Sequence, residues 1–183
     1  MKIYNKRFFG CAVVMSSLLL VACDQSAEQG SAGLPSIGSA DTLTVQSITG
    51  PTVSLSNANV SVYKGDTFTL DITMSEFELS EGGGVTLRFD PALIQVANVN
   101  VDSSVWRFKN KEGFVNNAEG TTYDILFSSY QGVDGSAKVA TVEFKSIETG
   151  VSTITLEESA ANAFASGGET VAVVFNTTTV SSN

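Results

Sequence analysis

The residues of this sequence that are able to do chemistry are its carboxylates. The chain has 183 residues, with 19 Asp and Glu, no His and two Cys. Without histidine, the commonest general base, metal ligand and catalytic-triad member is missing. A pair of carboxylates can hydrolyse a glycoside, but among so many surface acids some pair always has a suitable spacing. We therefore expect a protein that is not an enzyme, with no catalytic residues.

The most conspicuous carboxylate is Asp90, in the stretch LRFDPALIQV. Pro91 fixes its own φ and restricts Asp90, and no base stands nearby, so the pattern predicts a turn between two strands. Arg88 alternates with Leu87 and Phe89 and should point away from the core. Arginine is enriched at interface centres, which makes Arg88 a candidate contact for an acidic or carbonyl-rich partner. The other interpretation is an ordinary solvated ion pair with a nearby acid.

Cofactor motifs are absent from the sequence. The acids are dispersed and form no calcium-loop run, so we predict no metal site and no cofactor. Gly82-Gly83-Gly84 lacks the Lys-Ser/Thr of a phosphate loop and precedes a strand instead of a helix.

The N-terminus predicts a lipoprotein signal over residues 1–23. Lys2, Lys6 and Arg7 precede an apolar run that ends in Leu20-Val21-Ala22-Cys23, which resembles the bacterial lipobox; the alternative is an uncleaved anchor helix. Cys23 would be the lipidated residue. Cys11 would leave with the signal, so the mature chain would form no internal disulfide.

The predicted mature chain is strongly acidic. Its charge would be 7 − 19 = −12, which argues against nucleic acid as a partner and against membrane contact through anything but the lipid. Residues 24–42 read as a flexible tether. Asp24 resembles a signal for the inner membrane facing the periplasm, with outer membrane or cell surface as other addresses in the cell envelope.

From residue 43 to 183 the apolar residues alternate with period two. In DTFTLDITM, for example, Phe68, Leu70 and Ile72 share one face, which is typical of a half-buried strand. Glycine and Asp-Gly turns separate such runs. The pattern predicts an antiparallel sandwich or jelly roll without long helices. Residues 157–165 form either a short helix or a loop.

The order of the motifs resembles the cohesin domain family. The segments are VYKGDTFTLDI, LRFDPALIQV, GSAKVATVEF and GVSTITL. The resemblance implies an all-β, nine-stranded antiparallel jelly-roll β-sandwich that binds a protein partner through one sheet face. That partner is expected to be a dockerin, a calcium-dependent helical module carried by polysaccharide-degrading enzymes.

Where cohesins place polar contact residues, this chain has the glycine triplet, so the recognition code should differ. Six outward residues of the same sheet remain as candidate partner contacts: Thr86, Arg88, Asn116, Asn117, Asp124 and Ser128. Arg88, Arg107, Lys109 and Lys111 form the notable positive region of the sequence.

Two other functions stay open. The cohesin fold is shared with cellulose- and chitin-binding modules, so direct polysaccharide binding is an alternative. Its candidate residues are the aromatic side chains Trp106, Tyr63 and Tyr130, whereas Tyr123 alternates with core residues and is predicted to be buried. The last alternative is a structural envelope lipoprotein.

Overall fold

The computed structural model describes residues 50–183, and this part of the chain is all β with no helix. Consequently none of these residues belongs to a helix long and apolar enough to cross a bilayer. The signal peptide, Cys23, Asp24 and the tether lie outside the described residues and remain predictions, as does the domain boundary at residue 43. The strands are β1 (Thr52–Leu55), β2 (Asn59–Val62), β3 (Thr67–Arg88), β4 (Ile94–Val101), β5 (Lys111–Asn116), β6 (Thr121–Ser146), β7 (Gly150–Glu158), β8 (Ala165–Ser166), β9 (Glu169–Thr170), β10 (Val174–Phe175) and β11 (Thr178–Ser182).

The two longest strands, β3 and β6, run through both layers of a sandwich. Residues 67–72 of β3 pair with residues 140–145 of β6, and residues 82–88 pair with residues 121–128. Strands β1, β10 and β4 complete a back layer around the first pairing. Strands β5, β7, β11 and β2 complete a front layer around the second. The predicted all-β jelly roll is confirmed.

The strand details differ from the prediction in two respects. Eleven strand segments appear among residues 50–183 instead of nine, because short two-residue pairings such as β8 with β9 also form. The pairs β1–β10 and β2–β11 are parallel, so the sheet is not wholly antiparallel. The alternative of a short helix over residues 157–165 is wrong, because that segment is a strand end followed by turns.

The core is built from the alternating apolar residues that the sequence pattern marks. Leu70, Ile72, Val142 and Phe144 are fully or almost fully buried between the layers. Phe144 stacks on Phe68 and meets the edge of the Phe89 ring. Such burial of branched and aromatic side chains supplies the main driving force for folding in a chain with no disulfide between described residues.

Asp90 and Pro91 make the predicted turn. The Asp90 carboxylate accepts a hydrogen bond from the Ala92 N–H at 2.9 Å, and its carbonyl accepts from the N–H groups of Leu93 and Ile94. The side chain is thus used to close the turn before β4, as asparagine and aspartate do in many tight turns.

In the first half of β6 the alternation fails at a bulge. Leu87 pairs with Thr122 and Val85 pairs with Ile125, so two residues of β6 oppose one of β3. Asp124 takes a positive φ of 54° within this bulge. Both Thr122 and Ile125 therefore face the core, and the prediction that Tyr123 is buried beside Ile125 is wrong: its phenol reaches the outer carboxylate of Glu119 at 2.9 Å.

The glycine triplet makes room for the segment after β7. A Cβ on Gly83 would lie 2.7 Å from the buried ring of Phe164, and one on Gly84 would lie 2.8 Å from the Ser159 side chain. Phe164 packs against Phe77, Phe127 and Phe175. The triplet is therefore a packing feature that admits residues 159–164 over this end of the sandwich.

Substituting Gly82 by alanine should be strongly destabilising. Gly82 has a φ of +149°, and a Cβ there would lie 2.9 Å from the Ser128 Cα, a backbone atom of the paired strand that has nowhere to move. We expect Gly82→Ala to lower the free energy of unfolding by about 3 kcal/mol through strain and overpacking. Urea unfolding measures the loss.

Gly135→Ala is the matched control for this substitution. Gly135 also has a positive φ, +75°, but nothing lies within 4 Å of its added Cβ. Only the backbone strain remains, and about 1 kcal/mol should be lost. Equal losses at the two positions would contradict the close approach of β6 to Gly82.

Candidate partner-binding face

The outer side of the front layer is the candidate face. Here Thr86 pairs with Glu157 and Arg88 pairs with Thr155 on one side of β3, while β6 and β5 lie on the other side. Because Val85 and Leu87 are fully buried beneath, the intervening side chains of β3 must point outward.

Arg88 makes an ion pair and remains half exposed. Its Nη2 lies 2.6 Å from Glu157 Oε1, and the two side chains keep 51% and 47% of their surface. The hydrogen bond to Glu157 and the charge of that carboxylate raise the pKa of Arg88 above its ordinary value. An exposed pair of this kind contributes little to stability. Glu157 nevertheless orients the guanidinium, which keeps N–H donors for a partner.

Tyr123 and Glu119 continue this outer surface beside Arg88. Both contribute to the electrostatic environment that raises the pKa of Arg88. On β5, Phe114 pairs with Tyr123 and is an exposed large apolar side chain. Sequence reasoning missed these residues, since the bulge that turns Tyr123 outward has no signature in the alternation. An exposed aromatic next to an arginine is typical of interface centres.

Two of the six predicted contacts are less accessible than expected. Thr86 keeps only 5% of its surface, so little of its side chain is accessible to a partner. Asp124 is half-buried, because its Oδ1 accepts a 2.6 Å hydrogen bond from the Ser159 hydroxyl and its Oδ2 lies 3.7 Å from Lys111 Nζ. Asp124 thus joins β5 to the segment after β7.

The remaining three candidates have structural hydrogen bonds. The Asn117 side chain accepts from the Val96 N–H and donates to the Val96 carbonyl, both at 2.9 Å, and so extends β4. Asn116 caps the turn after β5 by accepting from the N–H groups of Ala118 and Glu119. The Ser128 hydroxyl bonds the backbone of Lys109. Arg88 is the predicted contact whose side chain the face leaves most available.

The aromatic platform expected for polysaccharide binding does not form from the three predicted residues. Trp106 is fully buried, where it packs on Phe127 and donates its indole N–H to the Lys138 carbonyl at 2.9 Å. Tyr63 and Tyr130 are exposed. Tyr63 lies in the turn bonded to Ser146, whereas Tyr130 lies where β6 passes between layers, at the other end of the sandwich. The prediction that Trp106 contributes to an exposed platform is wrong.

The turn formed by Asp102 explains why Trp106 is buried. The Asp102 carbonyl accepts from the N–H groups of Val105 and Trp106. Its carboxylate accepts from the Ser104 N–H and, at 2.5 Å, from the Ser104 hydroxyl. The turn therefore reverses the chain after β4 and directs the indole inward. Residues 107–111 follow this turn directly and border the front layer.

No group of three or more Cys, Asp or Glu side chains within residues 50–183 is arranged to hold a metal ion.

The comparisons with known proteins agree with this architecture. The family model for the cohesin domain matches residues 51–182, and no curated protein matches the sequence. The third cohesin of ScaC from Acetivibrio cellulolyticus, solved in complex with the ScaB dockerin, is 19% identical with a TM-score of 0.58, over 72% of this chain and 98% of that one. The cohesin CaCohA2 from Clostridium acetobutylicum is 17% identical with a TM-score of 0.57, over 72% and 91%.

A third similar structure is the non-cellulosomal cohesin from the archaeon Archaeoglobus fulgidus, 14% identical with a TM-score of 0.55 over 73% of this chain and 91% of that one. The chain belongs to the cohesin domain family.

The Asp102 turn should make stability depend on pH. The hydrogen bond from the Ser104 hydroxyl lowers the pKa of Asp102 below its ordinary value of 3.8. A carboxylate with a lowered folded-state pKa stabilises the fold fully above its unfolded value, and that contribution is lost as the pH falls through the folded value. Asp102→Ala should therefore cost more stability at about pH 6 than at about pH 3, as measured by urea unfolding.

Asp102→Asn serves as the companion variant. It keeps an acceptor oxygen for Ser104 without the charge, and we expect a smaller loss near neutral pH than for alanine. A loss for Asp102→Ala that is the same at both pH values would show that the ionised carboxylate is not what stabilises the turn.

Proposed function

We propose that this chain is a non-catalytic docking module, held at the cell envelope by lipid on Cys23, and that it captures a dockerin-bearing protein through the outer face of the front layer. The observation that carries the proposal is the cohesin family match over residues 51–182. The similar ScaC cohesin was solved with a dockerin bound. By the same resemblance, the captured protein would take part in polysaccharide degradation.

The chemistry of the face supports a protein partner. Arg88 and Glu157 present a paired cation and anion, and Phe114 and Tyr123 add aromatic surface on the neighbouring strands. An apolar centre bordered by oriented charges is the usual composition of a specific protein interface. The glycine triplet and the buried Thr86 remove polar side chains from one part of the face, so the partner should be selected mainly by the Arg88 region.

Reversing the charge of Arg88 should weaken capture. The full-length chain and its Arg88→Glu variant are used to capture proteins from an extract of the producing organism, with and without a calcium chelator, and the captured proteins are identified by mass spectrometry. We expect a dockerin-bearing protein that is lost with chelator, and at least a tenfold lower yield with Arg88→Glu, since one central arginine commonly contributes that much.

Lys145→Glu is the control, because Lys145 is exposed on the back layer beside the buried Phe144. It makes the same charge change and should leave capture intact. Recovery of no dockerin-bearing protein would overturn the proposal and favour a structural envelope lipoprotein. Equal loss with both variants would show that the front face is not the docking surface.

The lipid anchor is tested separately. Cys23→Ser removes the sulfur that would carry the fatty acids, and we expect the protein to move from the membrane fraction to the soluble fraction, because the acidic chain has no attraction for anionic headgroups. Fractionation followed by immunoblotting measures the change. A variant that stays with the membranes would contradict lipidation at Cys23.

A further inference from the structure

A groove of about 770 Å³ opens at the end of the front layer that carries the glycine triplet. It lies between residues 108–111, the end of the first half of β6, and the segment after β7. Along β6, Ser129 in this groove lies eight positions beyond Thr121, the partner of Arg88, which is about 26 Å of extended strand. The aromatic end of the groove is therefore well separated from Arg88, whereas Lys111, at its near edge, lies three positions before Phe114 on β5. Its lining residues are Glu81, Phe108, Lys109, Asn110, Lys111, Leu126, Ser128, Ser129, Tyr130, Ala161 and Asn162.

One wall of the groove is an aromatic pair. The rings of Phe108 and Tyr130 contact each other with centroids 3.7 Å apart and planes tilted by 40°, yet 49% of Phe108 and 79% of Tyr130 remain exposed. The Phe108 N–H donates to the Ser128 carbonyl at 3.1 Å, which fixes this wall to β6. Phe108, in the segment before β5, and Tyr130, on β6, thus expose two large rings that form a surface on which a flat apolar ligand face can stack.

Two of the few basic side chains of the domain lie at the groove. Residues 50–183 carry 16 acidic and 7 basic side chains, and Lys109 and Lys111 line the groove together with one carboxylate, Glu81. That carboxylate accepts a hydrogen bond from the Gly168 N–H at 2.9 Å. Because Lys111 Nζ lies 3.7 Å from Asp124 Oδ2, Lys109 is the groove lysine that makes no ion pair with another described residue. It offers an anionic group one cationic contact on a surface that otherwise repels anions.

We propose that this groove binds an anionic polysaccharide strand, with sugar rings stacked on Phe108 and Tyr130 and a sugar carboxylate facing Lys109. A pyranose ring offers an apolar C–H face to an aromatic ring and hydroxyls to polar neighbours. Most of the other lining residues are polar, including Asn110, Ser129 and Asn162. A run of Asp and Glu side chains would match the lysine but offers no flat face to stack on the two rings.

The proposal goes beyond docking, because it gives the domain a second ligand at a separate place. It also differs from the binding of crystalline polysaccharide, which needs a row of rings instead of one pair beside lysines.

Calorimetric titration of the full-length chain tests the ligand class. Three probes are compared: a hexamer of galacturonate, the neutral hexamer of glucose joined as in cellulose, and polyglutamate. We expect the galacturonate hexamer to bind, the neutral hexamer to bind at least fivefold more weakly, and added salt to reduce the difference. Equal binding of the neutral hexamer would overturn the anionic assignment. Equal binding of polyglutamate would assign the groove to acidic peptides.

Variants locate the site. Tyr130→Ala and Lys109→Gln should each weaken binding of the galacturonate hexamer about fivefold. Tyr63→Ala and Lys145→Gln change an exposed tyrosine and an exposed lysine at other places and should have no effect. Binding that is absent, or that is unchanged by the groove variants, would refute the proposal.

The docking proposal and the groove proposal are tested independently. Arg88→Glu should leave titration of the galacturonate hexamer unchanged, and Tyr130→Ala should leave capture of the dockerin-bearing protein unchanged. Loss of both activities in both variants would mean that the two regions act as one site, which would also contradict the inference.

Discussion

The pairing of β3 with β6 is the interaction on which the rest of the structure depends. These two strands stay hydrogen-bonded from residues 67 and 145 at one end to residues 88 and 121 at the other, through several register shifts. Every other strand of the sandwich is joined to one of them, either directly or through neighbouring strands; the longest such path runs from β2 through β11 and β7 to β3. Because most contacts they make are between distant parts of the chain, folding must close long loops before it gains them, which favours slow, cooperative folding.

The same pairing fixes where functional side chains can lie. A strand alternates its side chains strictly, so one bulge, with Asp124 at positive φ, decides which residues of β6 reach the outer face. Tyr123 is turned toward Glu119 as a result. At the other end, the glycine triplet removes side chains from β3 and admits Phe164 and Ser159. The packing at this end of the domain thus leaves the groove beside residues 159–164, at a fixed distance from Arg88.

Sequence reasoning reached what depends on alternation and turn chemistry. The inward residues of β3, the Asp90 turn and the outward direction of Arg88 follow from local rules, and the motif order identified the family. Features that depend on contacts between distant parts of the chain could not be predicted from the sequence. Trp106 is buried because the Asp102 turn and Phe127 receive it, and Phe108 meets Tyr130 only after β5 pairs with β6. The distance of Arg88 from Lys109 and Lys111 also could not be predicted from the sequence, because it is set by the pairing of the strands.

The charge distribution explains how one small domain can present two surfaces without confusion between ligands. With 16 acidic and 7 basic side chains in residues 50–183, a polyanion is repelled from most of the surface and meets attraction only where a cation has no acid beside it. Arg88 does not provide such a place, since Glu157 neutralises it within 2.6 Å. Its paired charges recognise a partner that offers both signs in the right geometry. Lys109, which makes no ion pair with another described residue, imposes no such geometry, so in the groove the aromatic pair must supply the selectivity that charge alone lacks.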